Sequence, residues 1–302
     1  MKKILLILLA FTLTLSIASC AGDDDNKIEN GGEDDKRSEE EKEKDKHLLP
    51  AITFYNTYII INNHGMTLSS IVDECIEEYQ KKGSIPAMQV ENKGNGSFLL
   101  TIAINKLAEK YYDILEGELL VAVSSSGESL TNNGSTKKID LTKVFYKDSY
   151  IQQAYSYKGT IEIATTKYNP ATNERTHSIS YNNLSMLNPS SANLWLINHT
   201  FTYQITPKQE GNNTLLSSGN PATGAILEYG AFSVRIAKPI EKSASMGCYT
   251  KGEYLLNAQS LGGSSAPITT TFSIENVNEF SIGKATISYK GVSTTYDQHT
   301  SF

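Results

Sequence analysis

Five histidines stand at 47, 64, 177, 199 and 299, and three cysteines at 20, 75 and 248. No His lies two or four residues from another His or from a Cys, so the spacing that puts zinc ligands on one face of an element is missing. A serine nucleophile held on a strand-to-helix turn needs Gly-x-Ser-x-Gly, and no such string occurs. The nearest serine cluster, Ser124-Ser125-Ser126-Gly127-Glu128-Ser129, lacks the flanking glycines and reads as a loop. Gly94-Asn95-Gly96 and Gly262-Gly263-Ser264 are not followed by Gly-Lys-Ser/Thr, so they read as turns and not as phosphate loops. Asp23, Asp25 and Lys27 lack the Gly and terminal Glu of an EF-hand calcium loop. The acids Asp73, Glu74, Glu77 and Glu78 fall off the apolar stripe of a helix and are expected on a solvated face. Carboxylate pairs for glycoside hydrolysis depend on a separation in space that spacing in sequence does not give. No catalytic residue, cofactor or metal is expected, and a hydrolase is the least favoured class.

The chain has 302 residues with 27 Lys+Arg and 33 Asp+Glu, a formal charge of −6. That charge is unevenly placed. Residues 21–47 hold twelve acids and six bases, whereas residues 48–302 hold 21 acids and 19 bases. No segment concentrates Lys and Arg enough to displace counterions from a phosphate backbone, so nucleic acid is not an expected partner.

Lys2 and Lys3 precede an apolar run, Ile4 to Leu15, broken only by Thr12 and Thr14. The run is shorter than the about 20 residues a spanning helix needs, but it suits a secretory signal. It ends Leu15-Ser16-Ile17-Ala18-Ser19-Cys20, with small residues directly before a cysteine. This closely resembles the lipobox of bacterial lipoproteins, with Ile17 where Leu is commonest. The resemblance implies cleavage after Ser19, a thioether-linked diacylglycerol on Cys20 and acylation of the new amino group, palmitate being the typical chain. More than one acyl chain makes membrane anchoring stable. The alternative is an ordinary signal peptide with an incidental cysteine.

Ala21-Gly22-Asp23-Asp24-Asp25 follows, then a nearly all-polar run from Glu33 to Lys46. Such a segment buries too little apolar surface to offset ordering entropy, so 21–47 is expected as a solvated tether. The acidic cluster behind the cysteine resembles the surface-export signal of Bacteroidota lipoproteins, which implies an outer-membrane protein facing the cell exterior. Facing the periplasm is the alternative. The resemblance covers the lipobox and tether only.

The body reads as mainly β. One helix is expected at 70–82, with Ile71, Val72, Cys75, Ile76 and Tyr79 on one face, a capping start at Ser70 and Asp73, and a stop at Gly83. A weaker helical piece lies near 104–115. From about residue 119 apolar and polar side chains alternate: Ile161 and Ile163; Phe201, Tyr203 and Ile205; Phe232, Val234 and Ile236; Phe272 and Ile274. Ala285 to Tyr296 reads as a hairpin turning at Lys290-Gly291. Gly159, Gly230 and Gly283 each open a similar five-residue pattern, a weak hint of a repeat. Polar stretches at 124–138 and 207–224 are candidate boundaries or long loops. The expected order is a signal peptide (1–19), lipidated Cys20 with its tether (20–47), a small α+β part (48–147) and an antiparallel β-sandwich-like domain (148–302).

Cys20 belongs to the lipid. Cys75 and Cys248 are either bridged, which beyond the inner membrane would close a long loop, or two separate buried thiols. Seventeen of the 26 Tyr and Phe are Tyr, and Tyr with abundant Asn, Ser and Thr suits polar recognition surfaces, although Tyr is equally a good strand residue. Trp195, the one Trp, reads as a core residue in preference to a glycan platform. The favoured function is a non-catalytic surface module that binds an extracellular glycan or protein. The alternative is a fimbrillin-like pilus subunit, whose terminal strand would add to a neighbour's sheet. For that reading the resemblance is architectural only.

Overall fold

A computed structural model describes residues 38–107, 115–126, 129–148, 153–172, 174–187, 193–208, 211–217, 221–226, 229–243, 246, 248–277 and 280–298. The signal peptide, Cys20 and the tether up to residue 37 lie outside these residues, as does His299.

The chain enters as one helix, α1 (Glu39–Lys82), 44 residues long, or about 66 Å at the usual rise. The expected helix is its last third. Upstream, Ala51, Phe54, Tyr55, Tyr58, Asn62 and Leu68 are buried and extend the same inner face. The helix therefore starts at Glu39, inside the segment expected as tether, and it runs through Pro50. Lys81 and Lys82 close the last turn, and Gly83 N–H donates to Tyr79 O at 2.7 Å, in line with the expected stop.

Among the described residues fifteen strands follow: β1 (Met88–Gly94), β2 (Ser97–Ala103), β3 (Leu115–Ser124), β4 (Thr136–Asp140), β5 (Val144–Asp148), β6 (Gln153–Asn169), β7 (Glu174–Leu187), β8 (Asn193–Lys208), β9 (Gly211–Ser217), β10 (Ala222–Ile226), β11 (Gly230–Lys242), β12 (Tyr249–Ala258), β13 (Ile268–Val277), β14 (Phe280–Tyr289) and β15 (Val292–Asp297). All belong to one sheet, and each paired neighbour is antiparallel. The path is a meander. Two slots are each shared by a pair of short strands: β4 and β5 between β3 and β6, and β9 and β10 between β8 and β11.

The fold is mainly β and antiparallel, as the alternation predicts, with a helical part before it. The boundary expected at 147 is not a break in the sheet, because β5 spans it and pairs with both β3 and β6. Of the two expected polar loops, 125–135 connects β3 to β4, whereas 207–224 contains β9, whose Leu216 is buried. Of the helical piece expected near 104–115, the described residues show a 3₁₀ turn, Ile104–Lys106, and the start of β3 at Leu115; residues 108–114 lie outside them. Ile161, Ile163, Phe232, Val234, Ile236 and Phe272 face inward, but Ile274 is exposed. The side chains of Phe201, Tyr203, Ile205 and Trp195 lie outside the described residues. The terminal hairpin forms as expected, Tyr289 pairing with Val292 across a turn with positive φ at Lys290 and Gly291. Gly159 sits at a bulge in β6, Gly230 at the start of β11 and Gly283 within β14, so the three similar segments do different jobs.

The inner face of the sheet packs along α1. Phe54 packs tilted or edge-on against Tyr229 and Phe232, Tyr55 against Phe272 and Tyr296, and Tyr58 edge-on against Phe232 and Tyr254. Tyr249 Oη donates to Asn63 Oδ1 at 3.1 Å, and Tyr181 Oη to Asn62 O at 3.2 Å. Strands β7, β11, β12, β13 and β15 thus meet one helix and share one apolar core.

Candidate functional site

Ionisable side chains converge at one place, where the second half of α1 crosses β4, β6 and β7. Lys137 and Ile139 share a face of β4, and Arg175, His177, Ile179 and Tyr181 share a face of β7, so strand alternation turns three basic residues inward. Lys137 Nζ donates to Asp73 Oδ1 at 2.5 Å. Arg175 Nη2 donates to Glu77 Oε1. His177 Nε2 lies 3.7 Å from Asp73 Oδ2, and its Nδ1 is 3.2 Å from Thr165 Oγ1. Asp73 is thus buried in an ion pair and Glu77 is half-buried, in place of the solvated face expected for them; Glu78 remains exposed.

Burial works against the Asp73 carboxylate, but Lys137, His177 and Arg175 outweigh it and hold the pKa below the usual value. Burial also opposes the charge on Arg175, and there Glu77 and Asp73 more than compensate. His177 goes the other way: burial, aided by Lys137 and Arg175 and opposed by Asp73, pushes it down to about 4, so it is neutral at pH 7. Lys137 and His177 have no solvent exposure. The cluster therefore locks helix to sheet, with the Asp73 carboxylate and the His177 imidazole inside and Glu77 at its rim.

Cys75 lies on the inner face of α1 and Cys248 beside β14; both are buried thiols, and no disulfide joins them. A Cβ at Gly283 would come within 2.5 Å of Cys248 Sγ. Burial pushes the Cys248 thiol up, away from a reactive thiolate. Lys242 Nζ sits 5.7 Å from the centre of the Tyr249 ring; although part of its stem reaches solvent, burial of the amine pulls it down to about 8. The side chains of His47, His64 and His199 lie outside the described residues. Among the described residues no group of three or more His, Cys, Asp or Glu is placed to hold a metal ion. Ser125 Oγ donates to Ser129 O and Ser129 Oγ to Thr131 O, so that serine cluster closes a loop on itself.

An open depression of about 650 Å³ lies at the start of β11 and the end of β12. Ala231, Phe232 and Ser233 line it from β11, Asn257 from β12, and Gln259 with residues 262–265 from the two 3₁₀ turns after β12. Gly262, with φ 94°, joins those turns, so Gly262-Gly263-Ser264 is the turn its sequence suggests. None of the lining side chains is ionisable. Ser233 and Asn257 are direct cross-strand partners, and Asn257 Nδ2 donates to Ser233 Oγ at 3.4 Å. Asn257 Oδ1 is buried without a hydrogen-bond partner among the described residues. Sequence reasoning did not single out this pair, because each is one polar residue among many alternating along a strand.

Comparison with protein families, characterised proteins and solved structures finds no match for the chain. What defines its class is the architecture: an antiparallel meander laid along a single N-terminal helix.

Proposed function

We propose that this chain is a lipoprotein anchored in the outer membrane through acylated Cys20, with its β-rich body on the cell exterior binding an extracellular ligand without catalysing a reaction. The apolar run that ends in Ala18-Ser19-Cys20 carries this reading. It is supported by the acidic residues behind the cysteine and by a body in which Asp73, Lys137 and His177 are sealed from solvent while its open depression is neutral. Cys20→Ala should abolish incorporation of labelled palmitate and move the protein from the outer-membrane to the soluble fraction; unchanged partitioning would sink the anchor. Protease applied to intact cells should remove the body if it faces outward and spare it if it faces the periplasm.

A pilus subunit is the second reading, favoured by the position of the C-terminal strand β15 at an edge of the sheet. Polymerisation of that kind predicts trimming well beyond Cys20. Surface protein of full mature length, monomeric in detergent, would remove this reading.

A further inference from the structure

We propose that β15 is the contact strand of a two-fold dimer, in which its free edge pairs antiparallel with the same edge of a second copy of this chain, centred on Thr294. The inference is independent of what the body binds and goes beyond that reading.

The path of the sheet ends at β1 and at β15, and among the described residues neither has a second neighbouring strand. An exposed edge is a template for another chain unless charge, Pro or a bulge blunts it. The two ends differ in this respect. β1 carries exposed Glu91 and Lys93 and an irregular register between Asn92 and Gly94. From Val292 to Tyr296, β15 has no charge, no Pro and no break in its register with β14.

Tyr289 and Val292 flank the two-residue turn, where such residues exchange backbone bonds. Val292, Thr294 and Tyr296 therefore point their backbone groups at β14, and Ser293, Thr295 and Asp297 point theirs outward. Gln298 N–H, which donates to Gly283 O at 2.8 Å, has the phase this requires.

Directly opposed residues of an antiparallel pair share a face of the sheet. With Thr294 opposite Thr294 of the second copy, each Ser293 lies opposite Thr295 of the other, so their outward backbone groups meet. Val292 lies opposite Tyr296 on the inner face, a β-branched residue against an aromatic one, which is a favourable cross-strand pair. Both are only half-buried in the single chain. Asp297 comes opposite Gly291 and beside Lys290 of the other copy, so opposite charges meet at both ends of the seam. Centring on Thr295 would set Ser293 against Asp297 and lose both matches. The two-fold repeats every contact and closes the assembly, unlike a strand donated from head to tail.

The test traps the seam in the protein isolated from cells in detergent. Opposed residues that do not exchange backbone bonds have Cα atoms about 4.5 Å apart, inside the range of a disulfide. Thr294→Cys should therefore give a covalent dimer on mild oxidation, read on a non-reducing gel against the wild-type chain, whose Cys75 and Cys248 are buried. Thr295→Cys, two residues out of step with its own copy, should give far less. Ser293→Pro removes an outward N–H and leaves the bonds to β14 in place, so adding it to Thr294→Cys should abolish the dimer. Four results would each overturn the inference: no covalent dimer from Thr294→Cys, cross-linking that favours Thr295→Cys, a dimer indifferent to Ser293→Pro in a folded protein, or a ladder of larger species, which would favour the pilus reading. The two cysteine variants decide the matter even where Ser293→Pro folds poorly. The outcome for Cys20→Ala concerns only the anchor.

Discussion

Lys137 and His177 occupy strand positions where alternation calls for an apolar side chain, and each is matched by Asp73 from a helix far away in sequence. A buried pair loses most when one partner is removed, because the other charge is stranded. Lys137→Met should therefore cost about 3–5 kcal/mol in urea unfolding, while Asp73→Leu combined with Lys137→Met should recover most of that loss. A double variant as unstable as the single one would show that the charges contribute in some other way. His177 makes the same site sensitive to acid. It binds a proton near pH 6.5 in the unfolded chain but only at about 4 when folded. Between those values the unfolded state holds the extra proton, so stability should fall by about 3 kcal/mol as pH drops from 6.5 to 4. Asp73, with its lowered pKa, adds a loss only below the ordinary carboxylate range. His177→Gln should flatten the upper slope, and a slope unchanged in that variant would place its origin elsewhere. The signal for this cluster was present in the sequence, since Lys137 shares parity with Ile139, and Arg175 and His177 share it with Ile179. What the sequence did not contain was the partner: Asp73 reads as solvated until the fold brings β4 against it.

The elements show where local pattern suffices and where it fails. The hairpin at Lys290-Gly291 and the strands carrying Ile161, Phe232 and Phe272 are legible because alternation and turn chemistry act over a few residues. The first half of α1 was missed although Leu48, Ala51, Phe54, Tyr55 and Tyr58 recur at helical spacing, because Pro50 and the polar run before it read as a break and Asn62 and Gly65 interrupt the stripe before the expected helix. These residues are set by contact with the sheet. Gly65 is the clearest case: a Cβ there would lie 2.4 Å from the Tyr181 ring, which is itself almost fully buried. In an isolated helix Gly→Ala would stabilise by about 1 kcal/mol, but here the overpacking should cost about 1–3 kcal/mol. Gly65→Ala should thus lower the unfolding midpoint, and Tyr181→Val, which clears the space, should make the same change stabilising. Additive effects in the double variant would mean that helix and β7 are not in tight contact.

At the scale of the molecule, the question is whether a chain that reads as two parts behaves as one. The sequence suggested a small α+β part ending near 147 and an antiparallel β-sandwich-like domain after it. In the fold, β5 spans the proposed boundary, and β6, just after it, pairs back to β4 and β5 and onward to β7. The helix crosses it as well, through Asp73 to Lys137 on one side and through Tyr55 and Tyr58 to Phe272 and Tyr254 on the other. Removing either part would strip β6 of a neighbour and expose the inner face that α1 covers. A sheet continuous in pairing and in core should unfold as a unit even at this size, although chains this long often populate intermediates. Equilibrium unfolding followed by far-ultraviolet circular dichroism, which reports all the strands, should therefore coincide with fluorescence of Trp195, which reports β8 alone. The fragment 148–302 expressed by itself should fail to give a cooperative transition, because the β6 edge that pairs with β4 and β5 is then open to other chains. Two separated transitions in the full chain, or a fragment that unfolds cooperatively at the full-length midpoint, would show that α1 and the first five strands are an appendage and not part of one core.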